Sequence, residues 1–294
     1  MSDVRVRLDL AYDGTNFAGW AAQPGLRTVE GVLSAALHTI TRLPVRLTVA
    51  GRTDAGVHAA HQVAHFDLPS AVWQALPGRS PRSSGQALVE RLTGVLGREA
   101  GPVRGASDVV VLGAQEVSAD FDARFGALAR HYRYRVADAL APRDPLRRTH
   151  VLWQRGELDV AAMQQAVGVL VGEHDFLSFC KPRPGASTVR TLQYLQWERG
   201  TVGSDAGLVV LTVGADAFCH SMVRSLVGAS LAVGLASRDA AWLASLVARP
   251  CRTQAAPVAP PHGLVLERVD YPPAAHLAAQ AARAKVVRRL PTRP

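Results

Sequence analysis

Two α/β halves of similar order, followed by a short basic tail, are what this 294-residue sequence predicts. Three observations carry the prediction. Strand and helix periodicities alternate through residues 1–118, and they alternate again in a similar order through residues 119–272. The third is composition: 48% apolar residues over this length supply a core large enough for both halves. No residue-level repeat links the halves, so the likeness is one of element order alone.

Residues 4–10 set Val4, Val6 and Leu8 against Arg5, Arg7 and Asp9, the period of two of a half-buried strand, which ends near Asp13-Gly14. Thr28 then caps an amphipathic helix with Val29, Val32, Leu33, Ala36, Leu37 and Ile40 on one face. Strands follow at residues 45–50 and 62–68, separated by a glycine-bounded loop. Residues 77–105 are rich in Gly, Ser, Pro and Arg and read as an insertion or mobile excursion with a weak helical patch at 87–96. Strands resume at 108–117 and 129–137; on the latter Tyr132 and Tyr134 share one face, and Arg133 and Arg135 take the other, a surface suited to RNA. The second half continues with a helix at 159–171, strands at 189–197 and 208–214, helices at 218–236 and 239–248, and a strand at 264–271. Residues 273–294 read as a disordered basic tail carrying Arg283, Lys285, Arg288, Arg289 and Arg293.

The formal charge is +9, and all but two of the 33 basic residues are arginine. Guanidinium groups fork onto phosphates and stack on bases, so the composition favours a polyanionic partner. No apolar run reaches the length of a membrane helix, and residues 1–5 lack the apolar segment of a secretory signal, which predicts a cytoplasmic protein. Cys180, Cys219 and Cys251 are odd in number and show no C-x-x-C spacing, so reduced, apolar cysteines are expected.

The chemistry concentrates in Gly51-Arg52-Thr53-Asp54-Ala55-Gly56-Val57-His58. Small neighbours let backbone approach a flat substrate closely, and one carboxylate stands two residues from one guanidinium. A carboxylate in a water-poor pocket is driven toward its neutral acid unless a cation lies within reach. Two candidates exist for that cation: Arg52, and Arg224, the lone charge in the apolar helix Phe218-Cys219-His220-Ser221-Met222-Val223-Arg224-Ser225. The sequence leaves the choice open. His58, His61, His65 and Asp67 match no standard zinc spacing and read as structural or RNA-facing groups. Walker, G-x-G-x-x-G and G-x-S-x-G patterns are all missing, so no metal or cofactor site is evident.

At this point six strings in order, Tyr12-Asp13-Gly14 with Phe17-Ala18-Gly19-Trp20, AGRTDAGVHA at 50–59, FDARF at 121–125, RHYRY at 130–134, HDFLSF at 174–179 and FCHSMVRSLVG at 218–228, resemble the tRNA pseudouridine synthase A family. The resemblance spans about residues 4–271. It implies an α+β fold of two similar α/β halves, with mixed, mainly antiparallel sheets flanking a central catalytic cleft, the pseudouridine synthase fold. It implies cofactor-free isomerisation of uridine to pseudouridine in the tRNA anticodon stem-loop, at tRNA positions 38 to 40, by a homodimer. Asp54 matches the family's catalytic aspartate, Tyr132 the tyrosine that stacks on the target base, Arg52 an arginine beside the flipped nucleotide, Arg224 the aspartate's basic partner, and Leu264 an apolar wall of the base pocket. Ala21 after Trp20, His131 in place of a frequent arginine, and Thr93 near an expected asparagine depart from the pattern without touching these residues. Two other classes compete: a non-catalytic tRNA-binding or folding protein, distinguished by binding without product, and a metal-dependent hydrolase on the histidine cluster, distinguished by bound metal.

Overall fold

A computed structural model describes residues 2–99, 105–181, 187–254 and 257–286. Contacts divide the chain into two units, one of residues 1–128 with 267–285, the other centred on residues 129–266. The motif FDARF therefore belongs to the first unit, and the chain passes from one unit to the other at residues 128–129, 266–267 and 285–286.

In the first unit, strand β1 (Asp3–Tyr12) buries Val6, Leu8, Leu10 and Tyr12 on one face, as its alternation requires. Helix α1 (Val29–Thr41) starts where Thr28 Oγ1 accepts the Gly31 N–H and stops at Arg42, whose φ of 63° breaks the helical path. Strand β2 (Thr48–Val49) is shorter than the sequence predicts, because only Thr48 and Val49 find ladder partners, His65 and Ala64. Strand β3 (His58–Pro69) is longer, pairing antiparallel with β1 so that Arg5 faces Asp67 and forms a two-pronged ion pair. A short helix α2 (Ser70–Ala75) precedes α3 (Ser84–Glu99), and strand β4 (Val109–Val117) closes the order β4-β1-β3 with β2 on β3.

Helix α3 corrects the reading of residues 77–105 as a mobile excursion. It runs 16 residues and buries Gly85, Ala87, Leu88, Leu92 and Leu96. Gly85 lies flat on β4, where a Cβ would overlap the Ala114 carbonyl oxygen. The exposed Arg91, Gly94 and Arg98 hid this apolar stripe in a composition average.

The second unit opens with β5 (Ala129–Ala137), which alternates buried Tyr132, Tyr134 and Val136 with Arg133 and Arg135. Strand β6 (Leu152–Trp153) lies parallel to its end, while β7 (Gly172–Asp175), β8 (Val189–Arg199) and β9 (Val209–Ala215) pair antiparallel in the order β5-β9-β8-β7. Helices α4 (Val160–Val167), α5 (Met222–Gly234) and α6 (Ala240–Ala248) bury Met163, Leu226, Val227 and Leu243 in this unit's core. Helix α5 begins four residues later than predicted. Ser221, at φ 62°, precedes it, and Phe218 lies in the approach turn. On the sheet, Ala137, Ala141, Val151, Leu208 and Val210 form a small separate cluster that anchors the 138–151 loop.

Strand β10 (Leu264–Asp270) gives residues 264–266 to the second unit and 267–270 to the first. Helix α7 (Leu277–Ala284) follows, so part of the predicted disordered tail is helical; Leu277, Gln280 and Ala281 are its buried side, with Gln280 Nε2 donating to the Ala127 carbonyl. Arg288, Arg289 and Arg293 fall outside the described residues. The fold is thus α+β, with seven α-helices and a mixed, mainly antiparallel sheet arrangement among the described residues.

One expectation about the cysteines is overturned. Cys180 and Cys219 are joined as a disulfide with Cα atoms 5.6 Å apart, leaving Cys251 as the free thiol. Spacing rules see only neighbours in sequence. These two are 39 residues apart and meet where the turn after β7 packs beside the start of α5.

Candidate active site

In the first unit the Gly51–Val57 loop is held from beneath by a buried polar chain. Tyr12 Oη and Thr53 Oγ1 are 2.9 Å apart, Gln62 Nε2 donates to Tyr12 Oη at 3.2 Å, and the same amide donates to the Gly51 carbonyl at 2.9 Å. Tyr12, Thr53 and Gln62 are all buried, so these bonds replace water that cannot reach them. Burial pushes the Tyr12 phenol up to about 12, against the pull of its bonds to Thr53 and Gln62.

Backbone fixes the loop from above. The Trp20 N–H donates to the Thr53 carbonyl and the Gly56 N–H to the Phe17 carbonyl. A turn from Asp54 to Val57 closes through the Val57 N–H on the Asp54 carbonyl, with Gly56 at φ 75° in the third position, where a side chain would be strained. Gly19, at φ 96°, sits so close that a Cβ would crowd the Thr53 carbonyl, and a Cβ on Gly14 would overlap the Val57 carbonyl. Thr53 is therefore turned inward, while Arg52 is exposed and Asp54 half-buried on either side of it.

The histidines each have structural employment. His58 Nδ1 lies 3.1 Å from the Gly14 N–H and 3.0 Å from Asp13 Oδ1: the neutral ring accepts from Gly14, and the protonated ring donates to Asp13. The His58 hydrogen bond, with further bonds from Thr15, holds the Asp13 carboxyl far below the usual carboxylate range despite partial burial. His61 Nε2 meets Asp9 at 2.8 Å, and His65 Nδ1 accepts the Ala123 N–H at 3.0 Å. Burial, then the nearby Arg5, lowers the His65 pKa. Among the described residues no group of three or more His, Cys, Asp or Glu side chains is placed to hold a metal ion.

In the second unit Tyr132 sits opposite Val213 on β9, and its ring meets Phe218 edge to face, centroids 5.2 Å apart at 88°. Arg224, in the first turn of α5, donates from Nε to the Ala259 carbonyl at 2.7 Å, and the Ala259 N–H returns a bond to the Arg224 carbonyl. Gly228, one turn on, is required by the same strap: a Cβ there would overlap the Pro257 carbonyl. Tyr134 Oη donates to the Pro260 carbonyl, and its ring lies where a Cβ on Gly263 would strike it. Burial raises the Tyr134 phenol, and the Arg224 charge moderates the rise. Leu264 is buried at the end of this segment. The residues 257–264 thus gather Arg224, Tyr134 and Leu264 in one place, and Phe218 supports Tyr132.

Sequence reasoning passed over Tyr12, Gln62, Gly14, Gly19 and Phe218 as site-shaping residues. A signal existed for Gln62: it shares the strand face of Ala64, Phe66 and Leu68, all buried, where a polar side chain needs a hydrogen-bonding task.

A family model described as tRNA pseudouridine synthase matches residues 166–272. With the relatives that follow, this match defines the class: the chain is a pseudouridine synthase, an isomerase. It is 51% identical to a tRNA pseudouridine synthase A of Streptomyces griseus over 98% of this chain and 95% of that protein. It is 52% identical to a protein of the same name from Frankia casuarinae, over 98% and 97%. With that of Mycobacterium leprae it shares 47% identity over 95% and 93%. The chain belongs to the tRNA pseudouridine synthase A family.

Proposed function

We propose that this protein isomerises uridine to pseudouridine in the anticodon stem-loop of tRNA, in the cytoplasm and as a homodimer, with Asp54 as the essential carboxylate. The observation that carries the reading is the bracing of the Asp54 loop: a buried tyrosine–threonine–glutamine chain and two closely packed glycines hold a half-buried carboxylate beside an exposed guanidinium. The names of the relatives support tRNA as the substrate.

The reaction changes no atom count. The bond from the ribose C1′ to N1 of uracil breaks, the ring turns, C1′ bonds to C5, and the C5 hydrogen leaves as a proton while N1 gains one. A carboxylate serves this by attacking the sugar or the base, or by abstracting a sugar proton. The target base must first leave the helix stack, and in this reading Tyr132 supplies replacement stacking, on the order of 1 to 3 kcal/mol. Arg52 holds the extruded nucleotide's backbone, Arg224 contributes to substrate binding, and Leu264 lines the base pocket.

The test is incubation of purified protein with an unmodified tRNA transcript, followed by pseudouridine mapping, for wild type and Asp54→Asn. Product in the anticodon arm with wild type and none with the variant, at undiminished tRNA binding, is expected. Turnover by Asp54→Asn would remove Asp54 from the chemistry, and binding without product by wild type would make the chain a tRNA-binding protein.

A further inference from the structure

On the second unit three arginines converge on one aspartate. Arg135 Nε meets Asp205 Oδ1 at 2.8 Å and is largely buried, whereas Arg133 and Arg147 stand 3.6 Å from the same carboxylate, beyond hydrogen-bonding distance. The fold builds this cluster from three places: the outward face of β5, the 3-10 turn Pro145–Arg147 in the loop anchored by Ala141 and Val151, and the 3-10 turn Gly203–Asp205 between β8 and β9. Three guanidiniums against one carboxylate leave a net charge of +2. The nearby carboxylate of Asp144 caps the 3-10 turn through the Leu146 N–H. In the same loop Arg143 lies over the ring of Trp153, which is opposite Ala137, two residues past Arg135 on β5.

We infer that Arg133 and Arg147, oriented by Asp205 and Arg135, bind backbone phosphates of the tRNA. The chemistry favours this over a packing role. Arg135 alone hydrogen-bonds Asp205, at 2.8 Å from Nε and 3.5 Å from Nη2, and each guanidinium carries five N–H donors, so Arg133 and Arg147 bring surplus charge and donors to a partly exposed surface. An anion relieves the repulsion among three like charges. A second copy docking through the same patch would instead face +2 with +2. The inference rests on tRNA being the substrate and adds the surface that holds its backbone.

The experiment measures equilibrium binding of an unmodified tRNA transcript across a salt series, with the full chain, for wild type, Arg133→Ala/Arg147→Ala and Arg133→Lys/Arg147→Lys. Losing two phosphate contacts is expected to weaken binding roughly tenfold at low salt and to flatten the slope of log K on log salt by about 1.5. The lysine pair keeps the charges and is expected to restore the slope. An alanine pair that melts like wild type and keeps its salt slope overturns the inference, as does unchanged tRNA binding with altered oligomeric state by light scattering. If the alanine pair does not fold, a lysine pair with a flattened slope overturns it. Pseudouridine formation by wild type is scored separately, so failure of the catalytic reading and failure of the phosphate surface are told apart.

Discussion

Replacing Tyr12 by Phe deletes one oxygen from the floor of the Asp54 loop and leaves the ring's packing in place. The lost hydroxyl served Thr53 Oγ1 at 2.9 Å and Gln62 Nε2 at 3.2 Å, all within buried surroundings. Gln62 keeps its bond to the Gly51 carbonyl, but Thr53 loses its buried partner. A net hydrogen bond contributes about 0.5 to 1.5 kcal/mol and a stranded buried hydroxyl costs about 1 to 3, so Tyr12→Phe should destabilise the protein by about 2 kcal/mol. Thr53 lies between Arg52 and Asp54, and loosening it should lower turnover by about tenfold to a hundredfold through misplacement of the carboxylate. The phenol gives a second handle. Its folded pKa of about 12 exceeds the ordinary 10.0, so stability present below pH 10 is lost as pH rises from 10 toward 12. That loss should shrink in Tyr12→Phe. Urea unfolding at pH 8 and pH 11, with single-turnover pseudouridine formation at pH 8, measures all three effects. A variant of wild-type stability and turnover, with an unchanged alkaline profile, would refute the view that Tyr12 braces the loop.

Gly14→Ala places a Cβ on the Val57 carbonyl, where only backbone can yield, and should cost more stability than Gly25→Ala, whose Cβ meets no atom within 4 Å but sits at φ 73°; paired urea melts decide the order. Tyr132→Ala should reduce kcat/KM by about tenfold to a hundredfold through lost stacking, with Tyr132→Phe far milder, as steady-state kinetics on tRNA would show. Reducing the Cys180–Cys219 disulfide, which closes 39 residues of chain, should lower stability by up to about 4 kcal/mol, read as a fall in Tm on adding reductant; an unchanged Tm would mean that the bridge does not constrain the unfolded chain. Leu92→Ala in α3 should destabilise by about 2 to 5 kcal/mol, a value a mobile excursion would not give, measured by urea unfolding.

Much of the fold was legible because its signals are local. The alternation in β1 and β5, the Thr28 cap and the apolar stripe of α1 each reside within one element, and the structure keeps them. The elements misread are those whose evidence is diluted or distant. Helix α3 lies among prolines and glycines that mark loops, and α7 carries the charge of a tail while its buried residues form a narrow face. Strand β2 shortened because ladder partners, rather than propensity, decide where a strand ends.

The sequence by itself determined the family through an order of motifs, and it supplied the residues on which the proposed chemistry rests: a glycine-bounded Arg-Thr-Asp loop and an aromatic-bearing basic strand. Those are properties of neighbours along the chain. Tertiary structure decided what holds them. Tyr12 reaches Thr53 from 41 residues away and Gln62 reaches the Gly51 carbonyl from 11, Cys180 meets Cys219, the 257–264 segment straps Arg224, and Asp205 collects Arg133, Arg135 and Arg147. Each depends on strand register and loop anchoring, because buried hydrogen bonds and ion pairs form only where the folded chain excludes water and brings distant atoms within about 3 to 4 Å.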